Sequence, residues 1–254
     1  MPWGRLGRGL ALAALGGAML RLALAENYWM FLNPRFQWLT GGTGLALVLL
    51  GLALALARGR RCAAPGAAVM ALMAALALGA QQASLPKAPE HTPLTGPTPA
   101  QEAAQAIAPR ITIDGLDYVR LNLAELLVGA MPGSDIAPPE RVAVRGMVVR
   151  TPEMDARGEF ALVRVHIVCC LADAVGVGFV VRHAGAPPEP GTWIEARATL
   201  EPLGAGPAPQ VLFPGVIGVL LGENHALAAA SIQPVDPPEV PFIFILRDRE
   251  PFAY

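Results

Sequence analysis

The sequence predicts a membrane-anchored protein: an N-terminal α-helical transmembrane region followed by a mainly-β domain that forms a small OB-like barrel. Two observations predict this class. Hydrophobic residues make up 54% of the 254 residues, long apolar stretches fill the first third, and only 15% are charged, against about 25% in typical soluble domains. Beyond residue 110 the chain shows short β-branched runs bounded by proline and glycine. A β-sandwich is the alternative architecture for this part.

The apolar stretches have the length of membrane spans, since about 20 apolar residues cross a hydrocarbon core of roughly 30 Å. The stretch Trp38–Ala57 carries no charge over twenty residues, and Cys62–Pro86 carries none over twenty-five. The first stretch, Gly9–Ala25, contains only Arg21 as a charge. We therefore predict three transmembrane helices in residues 1–85, at about 9–25, 38–57 and 63–84.

The first stretch also has features of a cleaved signal peptide. Arg5 and Arg8 precede it, and Ala23-Leu24-Ala25 resembles a signal-peptidase site. A retained helix, with Arg21 reaching the interface and an aromatic belt just beyond, is the favoured alternative.

Positive charge in short loops marks the cytoplasmic side of a membrane. Arg58, Arg60 and Arg61 lie between the second and third apolar stretches. This pattern places residues 27–37 and everything after Pro86 outside the cytoplasm, in a multi-pass membrane protein. Residues 86–109 contain six prolines and are predicted to form an extended linker to an extracytoplasmic domain at 110–254.

The outer domain is acidic, with eleven Arg against seventeen Asp and Glu, a net charge of −6. This balance argues against nucleic acid as a partner, because phosphate contacts need Lys and Arg. The sequence also contains no P-loop, Gly-x-Ser-x-Gly or His-Glu-x-x-His motif. We therefore expect no enzymatic activity.

Alternating or β-branched runs predict the strands of this domain, and Leu121–Met131 predicts a short helix before them. Alternation in the second run places Cys169 with the core residues Val165 and Ile167, and Cys170 on the opposite face with His166. Val211–Phe213 and 226–233 are weaker candidates for a last strand. The clear predicted strands are Arg141–Arg150, Phe160–Cys169, Val177–Arg182 and Thr192–Leu200.

The adjacent cysteines are the main candidates for chemistry, and three interpretations remain open. Both are structural; or Cys170, His166 and Asp173 bind a zinc-class ion through thiolate, imidazole and carboxylate; or Cys169 and Cys170 form a redox-active pair. The metal interpretation requires a bend in the chain, because His166 and Cys170 are roughly 13 Å apart along an ideal strand. Asp173 is alternatively a cap that accepts backbone N–H bonds in the turn.

The run from Arg164 to Ala174 carries a recognisable pattern: Arg164, Cys169, Cys170, Ala172, Asp173 and Ala174 stand as Arg-x-x-Ile-x-Cys-Cys-x-Ala-Asp-Ala. It resembles the signature of the YcgQ-like family of bacterial membrane proteins, which are described as permease subunits. Supporting similarities are Gly146 in the first strand, Gly191-x-Trp193, and Pro238-x-x-Pro241-Phe242, where the family has Tyr for Phe. The resemblance implies a separate polytopic permease as partner.

Together these observations predict a non-enzymatic accessory subunit of an inner-membrane permease system. It would dock on the permease or deliver an ion to it, with a zinc-class metal as the best candidate. The alternatives are an extracytoplasmic thiol-redox protein that acts through Cys169 and Cys170, and a stand-alone binding module of the envelope.

Overall fold

A computed structural model of the chain describes residues 3–56, 108–134, 138–204, 209–247 and 250–254. They fall into two compact units. The first comprises Met1–Tyr28 and Arg35–Gly96, and the second comprises Trp29–Pro34 and Pro97–Tyr254. The predicted third helix at 63–84, the arginine loop before it and the linker up to residue 107 lie outside the described residues.

The first unit contains two long helices, α1 (Trp3–Ala23) and α2 (Gln37–Leu56). Both are long and apolar enough to cross a membrane, with a mean hydropathy of 1.3 over Leu6–Ala23 and 2.1 over Pro34–Leu56. α1 starts earlier than predicted, at Trp3, because the polar residues Arg5 and Arg8 are tolerated within a helix as well as before one. α2 begins and ends within one residue of the predicted bounds.

Glycines allow α1 and α2 to pack backbone to backbone. A methyl group added at Gly16 would lie 2.5 Å from the carbonyl oxygen of Gly44, and one added at Gly51 would lie 2.5 Å from that of Gly9. Each helix thus places two glycines seven residues apart on the face that it presents to the other. Small residues at such spacing are typical of close helix contacts in membranes.

The second unit contains a closed five-stranded β-barrel. The strands β3, β6, β7, β5 and β4 are hydrogen-bonded in that order, and a pairing between β3 and β4 closes the ring. β5 and β7 are parallel, whereas the other four pairings in the ring are antiparallel. The bounds are β3 Arg141–Val149, β4 Glu159–His166, β5 Val175–His183, β6 Trp193–Pro202 and β7 Val219–Pro234.

Short elements surround the barrel. A hairpin of β1 and β2 pairs with β3, and the two-residue strand β8 pairs with β4. Two helices fill the connections, α3 before β3 and α4 between β3 and β4. Their bounds are β1 Arg110–Ile113, β2 Leu116–Arg120, α3 Leu123–Ala130, α4 Pro152–Asp155 and β8 Phe242–Ile243.

The barrel confirms the helix predicted at 121–131 and the four clear strands, with one exception at the end of β4 that is treated below. Val211–Phe213 is not a strand, whereas residues 226–233 lie within the sixteen-residue β7. The hairpin of β1 and β2 was not predicted. β7 is long because it pairs with β5 along one stretch and with β6 along another.

Fully buried aliphatic and aromatic side chains from α3 and all five barrel strands form the core. Phe160 and Leu162 of β4 point into this core, where Phe179 of β5 meets them, although the sequence had placed the opposite face of the strand in the core. Ala161 and Val163 are also fully buried, but in a second cluster outside the ring. β4 is therefore covered on both faces along Phe160–Val163, which matches the apolar run at these four positions.

The alternation of polar and apolar residues in β6 is typical of a half-buried strand, but its polar residues are buried as well. Glu195 is 4% exposed and Arg197 is 9% exposed. Glu195 pairs with Arg145 at 3.1 Å and with Arg197 at 3.1 Å, and it accepts a hydrogen bond from the Tyr254 hydroxyl. The C-terminal tail covers this face, because Tyr254 bonds to Glu195 from 59 positions further along the chain.

Glu125 connects the C-terminal tail to the start of α3 through hydrogen bonds. Asn122 caps the helix by accepting from the amides of Ala124 and Glu125, and the Glu125 carboxylate accepts from Asn122 in return. The other carboxylate oxygen accepts from the amides of Arg247 at 2.7 Å and Ala253 at 3.1 Å. Burial raises the pKa of Glu125 to about 7, although these bonds and the charge of Arg247 oppose the shift.

We expect Glu125→Gln to flatten the dependence of stability on pH. The folded-state pKa lies above the unfolded value, so the contribution of the protonated group is present below about pH 4.5 and is lost as the pH rises through 7. The free energy of unfolding of the wild type should therefore fall between pH 5 and pH 8, relative to Glu125→Gln, by up to about 3 kcal/mol. Chemical denaturation of both proteins in detergent at these pH values measures the difference, and parallel pH curves would contradict it.

Candidate metal centre

The cysteine pair lies in a turn that follows β4, and the prediction that the strand runs to Cys169 is wrong. β4 ends at His166, and a 3-10 helix covers Leu171–Asp173 before β5 begins. Cys169 is exposed, whereas alternation had placed it in the core with Val165 and Ile167. The alternation rule fails because it applies only while the chain stays extended.

Asp173 holds this turn in place. Its carboxylate accepts backbone N–H bonds from Val168 at 3.0 Å, Cys169 at 2.7 Å and Cys170 at 3.3 Å. This is the capping role considered from the sequence. Three amides converge on one carboxylate, and the chain therefore curls around Asp173 in place of extending β4. We refer to Val168–Asp173 as the ligand turn.

Curling brings both thiols to the same side of the chain. The Sγ atoms of Cys169 and Cys170 lie 3.5 Å apart, and both thiols are free. One ligand atom from each of Cys169, Cys170 and Asp173 lies within 4.8 Å of the others. Among the described residues this is the one group of three or more His, Cys, Asp or Glu side chains that close together.

His166 is not part of this group. The structure brings together Cys170 and Asp173 from the predicted set, but the third ligand atom comes from Cys169. His166 is the last residue of β4, where it is half-buried and pairs with Val175 of β5 and Ile243 of β8. Burial lowers the pKa of His166, and the charge of Asp173 opposes this shift. The chain does bend after β4, as the predicted metal site requires. The bend leaves His166 outside the group of close ligand atoms.

The donor set fits a thiophilic ion of the zinc class. A tetrahedral ion with metal–sulfur distances of about 2.3 Å separates two sulfur ligands by about 3.8 Å, close to the separation of the two Sγ atoms. Three protein ligands leave one tetrahedral position open, the pattern of sites that exchange a fourth ligand. Such an arrangement can bind an ion and leave one position on it for a further ligand.

Electrostatics in the turn favour a protonated Cys169 when no ion is bound. The hydrogen bond from this thiol to Asp173, together with Cys170, raises the pKa of Cys169 to about 12. Burial by itself would raise the pKa of Asp173, but the hydrogen bonds from the Cys169 thiol and from the turn amides lower it. A reactive cysteine has the opposite character, because nucleophilic thiols have a lowered pKa.

A distant segment, Trp29–Pro34, which we call the interhelical segment, is hydrogen-bonded to the ligand turn. Asn33 N–H donates to the Cys169 carbonyl at 2.9 Å, and Leu171 N–H donates to the Phe31 carbonyl at 2.9 Å. Leu32 forms an antiparallel bridge with Cys170. The ring of Trp29, which the sequence placed in an aromatic belt, packs edge-on against Phe242 at 5.6 Å between centroids.

Arg164, the first residue of the motif that resembles the YcgQ-like family, is buried in the fold. It is 7% exposed, its Nε donates to the Pro241 carbonyl at 3.2 Å, and its guanidinium lies 5.9 Å from the Trp193 ring centre. Burial lowers the pKa of Arg164 to about 10. Three similarities that are far apart in the sequence, Arg164, Trp193 and Pro241, therefore meet at one place in the fold.

The alanines of the motif have different environments. Ala174 is fully buried beside Val165 and Ile167, and its carbonyl accepts from Ile217 N–H. Ala172 is exposed in the 3-10 helix. Small side chains therefore suit the turn at both positions, one by packing and one by leaving the ligand turn accessible.

Sequence reasoning missed two residues of the site, Cys169 as a donor and Asn33 as a contact. The spacing of Asp173, four residues after Cys169 and three after Cys170, matches a capping turn and could have indicated that both thiols leave the strand. The sequence gives only a weak indication that Asn33 makes a contact: it is a polar residue that follows several aromatic residues and precedes Pro34. Its contact crosses more than 130 residues of chain.

Residues 139–209 match the family model of the DUF1980 C-terminal domain. The match supports the resemblance to the DUF1980/YcgQ-like family, and it spans β3, the ligand turn and β6. No curated protein matches the sequence.

One solved structure, described as a "putative aspartyl-tRNA synthetase from Leishmania major Friedlin", is similar over 64% of this chain and 26% of that chain. The identity is 13% and the TM-score is 0.27. This chain therefore spans about a quarter of the length of that protein, and at this score the similarity carries no argument about fold or function.

Proposed function

We propose that this protein is a non-enzymatic, membrane-anchored accessory subunit that binds a zinc-class ion through Cys169, Cys170 and Asp173 and delivers it to a polytopic permease in the same membrane. The observation that carries the proposal is the convergence of two thiols and a carboxylate within 4.8 Å on an accessible turn. The DUF1980 match supports the family context, and the permease partner follows from the resemblance.

The apolar helices support the anchor. α1 and α2 expose large leucines, among them Leu10 at 56%, Leu15 at 54% and Leu49 at 58%. Helices of this hydropathy with so much exposed apolar surface are typical of lipid-facing segments. The lipid bilayer is thus the first partner that we propose, and the bacterial inner membrane is the proposed location.

The interhelical segment supports an extracytoplasmic outer domain. It connects α1 to α2 along the chain and is hydrogen-bonded to the ligand turn, so both lie on the same side of any membrane that the two helices cross. The arginine pattern assigns that side to the outside. The third transmembrane helix that the sequence predicts at about 63–84 lies outside the described residues and belongs to the same proposal.

The barrel supports the OB-type assignment. In chain order its strands β3, β4 and β5 are successive antiparallel neighbours, β7 joins β5 in parallel, and β6 lies between β7 and β3. A five-stranded Greek-key barrel is the architecture of this class. Residues 110–254 carry a net charge of −6, which argues against nucleic acid as a partner. An ion and a protein are the partners that we propose.

Titration of the full-length protein in detergent with Zn²⁺, under reducing conditions, tests the proposal. We expect about one equivalent to bind, and the double variant Cys169→Ser/Cys170→Ser to bind none. Cys62→Ser removes the third cysteine of the chain and serves as the matched control with unchanged binding. Absence of binding by the wild type would overturn the proposal.

The redox alternative has one observation in its favour, the 3.5 Å separation of the two sulfurs. The raised pKa of Cys169 opposes it. Thiol counting on the same protein separates the two functions. A reversible loss of two thiols without any bound Zn²⁺ would favour a redox pair.

A further inference from the structure

We infer that the interhelical segment Trp29–Pro34 positions the ligand turn, with Asn33 as its anchor, so that ion binding and attachment of this segment are coupled. The inference rests on the proposed ion site and adds a second element to it. It goes beyond ion binding because it identifies the interhelical segment as the part of the chain whose attachment changes when the ion binds.

The backbone bonds of the segment bracket the two cysteines. Asn33 N–H reaches the Cys169 carbonyl, and the Phe31 carbonyl receives Leu171 N–H, both at 2.9 Å. Leu32, between them, faces Cys170. The geometry is a short antiparallel addition to an exposed edge, in which main-chain bonds determine the register of both partners.

The side chain of Asn33 adds a second attachment. It is 2% exposed, and its Nδ2 donates to the Val168 carbonyl at 3.0 Å and lies 3.5 Å from the Phe244 carbonyl. Only a side-chain amide offers two N–H donors from one short side chain. Asn33 therefore joins the start of the ligand turn to the chain that follows β8.

The ligand turn is held from two directions. Its N–H groups at Val168, Cys169 and Cys170 bond to the Asp173 carboxylate. Its carbonyls at Val168 and Cys169 bond to Asn33. An ion that recruits an oxygen of Asp173 competes with the first set of bonds and leaves the second set to hold the backbone of the turn.

The coupling between ion binding and attachment of the segment is reciprocal, as linkage requires of any two coupled equilibria. If attachment of the segment raises ion affinity, ion binding must strengthen attachment by the same factor. The segment follows α1 and precedes α2 in the sequence. A change in its attachment therefore acts on the chain that joins the two candidate membrane helices.

The test uses full-length protein in detergent, with Zn²⁺ as the probe. Asn33→Ala is expected to weaken Zn²⁺ affinity by about tenfold or more, since it removes the buried amide that donates to the Val168 carbonyl of the turn. Gln37→Ala is the matched control. It removes a side-chain amide close in sequence that donates to the Ala23 carbonyl at 2.7 Å, and it should change the affinity less than about twofold because surface changes are usually small.

Hydrogen exchange of the wild type gives a second measurement that does not depend on the variant folding. Adding Zn²⁺ should slow exchange of the amides of Asn33 and Leu171. Unchanged exchange at both amides, or unchanged Zn²⁺ affinity in a folded Asn33→Ala protein, overturns the coupling and leaves the proposed function intact. A wild type that binds no Zn²⁺ overturns both.

Discussion

Cys169→Ser is expected to lower the affinity for Zn²⁺ as strongly as Cys170→Ser, by at least about a hundredfold, because each removes one of three protein ligands. The two variants should also fold like the wild type. Cys169 is exposed and Cys170 is half-exposed, so a serine hydroxyl at either position remains in contact with water. Titration with Zn²⁺ in competition with a chelator, together with thermal unfolding of each apo variant, measures both quantities.

His166→Ala is the control for this prediction. His166 lies at the end of β4, outside the group of three ligand atoms. Its substitution should leave Zn²⁺ affinity within a few fold. Strong loss of affinity in His166→Ala, with Cys169→Ser unaffected, would restore the ligand set predicted from the sequence and contradict the geometry of the turn.

Gly178→Ala is expected to destabilise the barrel by roughly 3 kcal/mol or more, the upper part of the range for overpacked interiors. A methyl group at Gly178 of β5 would lie 2.1 Å from the Leu162 carbonyl oxygen and 3.1 Å from Val163 Cα. Both atoms belong to the backbone of β4, and no side-chain rotation relieves the contact. Thermal unfolding followed by near-UV circular dichroism in detergent measures the effect.

Gly218→Ala provides the comparison. Gly218 is exposed just before β7, and a methyl group there would have no atom within 4 Å. We expect its effect to be within about 0.5 kcal/mol, as for most surface substitutions. Equal stability of the two variants would show that β4 and β5 are not as close at Gly178 as the structure places them.

Local sequence pattern predicted the elements whose environment is uniform along their length. α2 carries no charge over its predicted span, and β3 and β5 are β-branched, so a single physical rule covers each. β6 was harder, because Glu195 and Arg197 alternate as surface residues do. Their burial follows from Tyr254 and Arg145, which no local window contains.

The candidate site shows the same division. The types of its donors were readable from the sequence, since thiols and a carboxylate within five residues indicate a thiophilic ion. Which donors meet was not readable. Asp173 can accept three amides only if the strand stops at His166, and strand extension and capping compete at this point with similar local propensities.

The sequence by itself determined the apolar helices, the acidic mainly-β domain and the cysteine-containing motif, because hydropathy and alternation are properties of neighbouring residues. Only the tertiary structure decided that Cys169 joins Cys170 and Asp173, that His166 stays apart, and that Asn33 holds the turn from across the chain. The contacts of Asn33 join segments more than 130 residues apart, whereas the bonds of Asp173 form only because β4 ends at His166. Backbone amides and carbonyls are the same in every residue, and a sequence therefore carries no direct record of which of them pair.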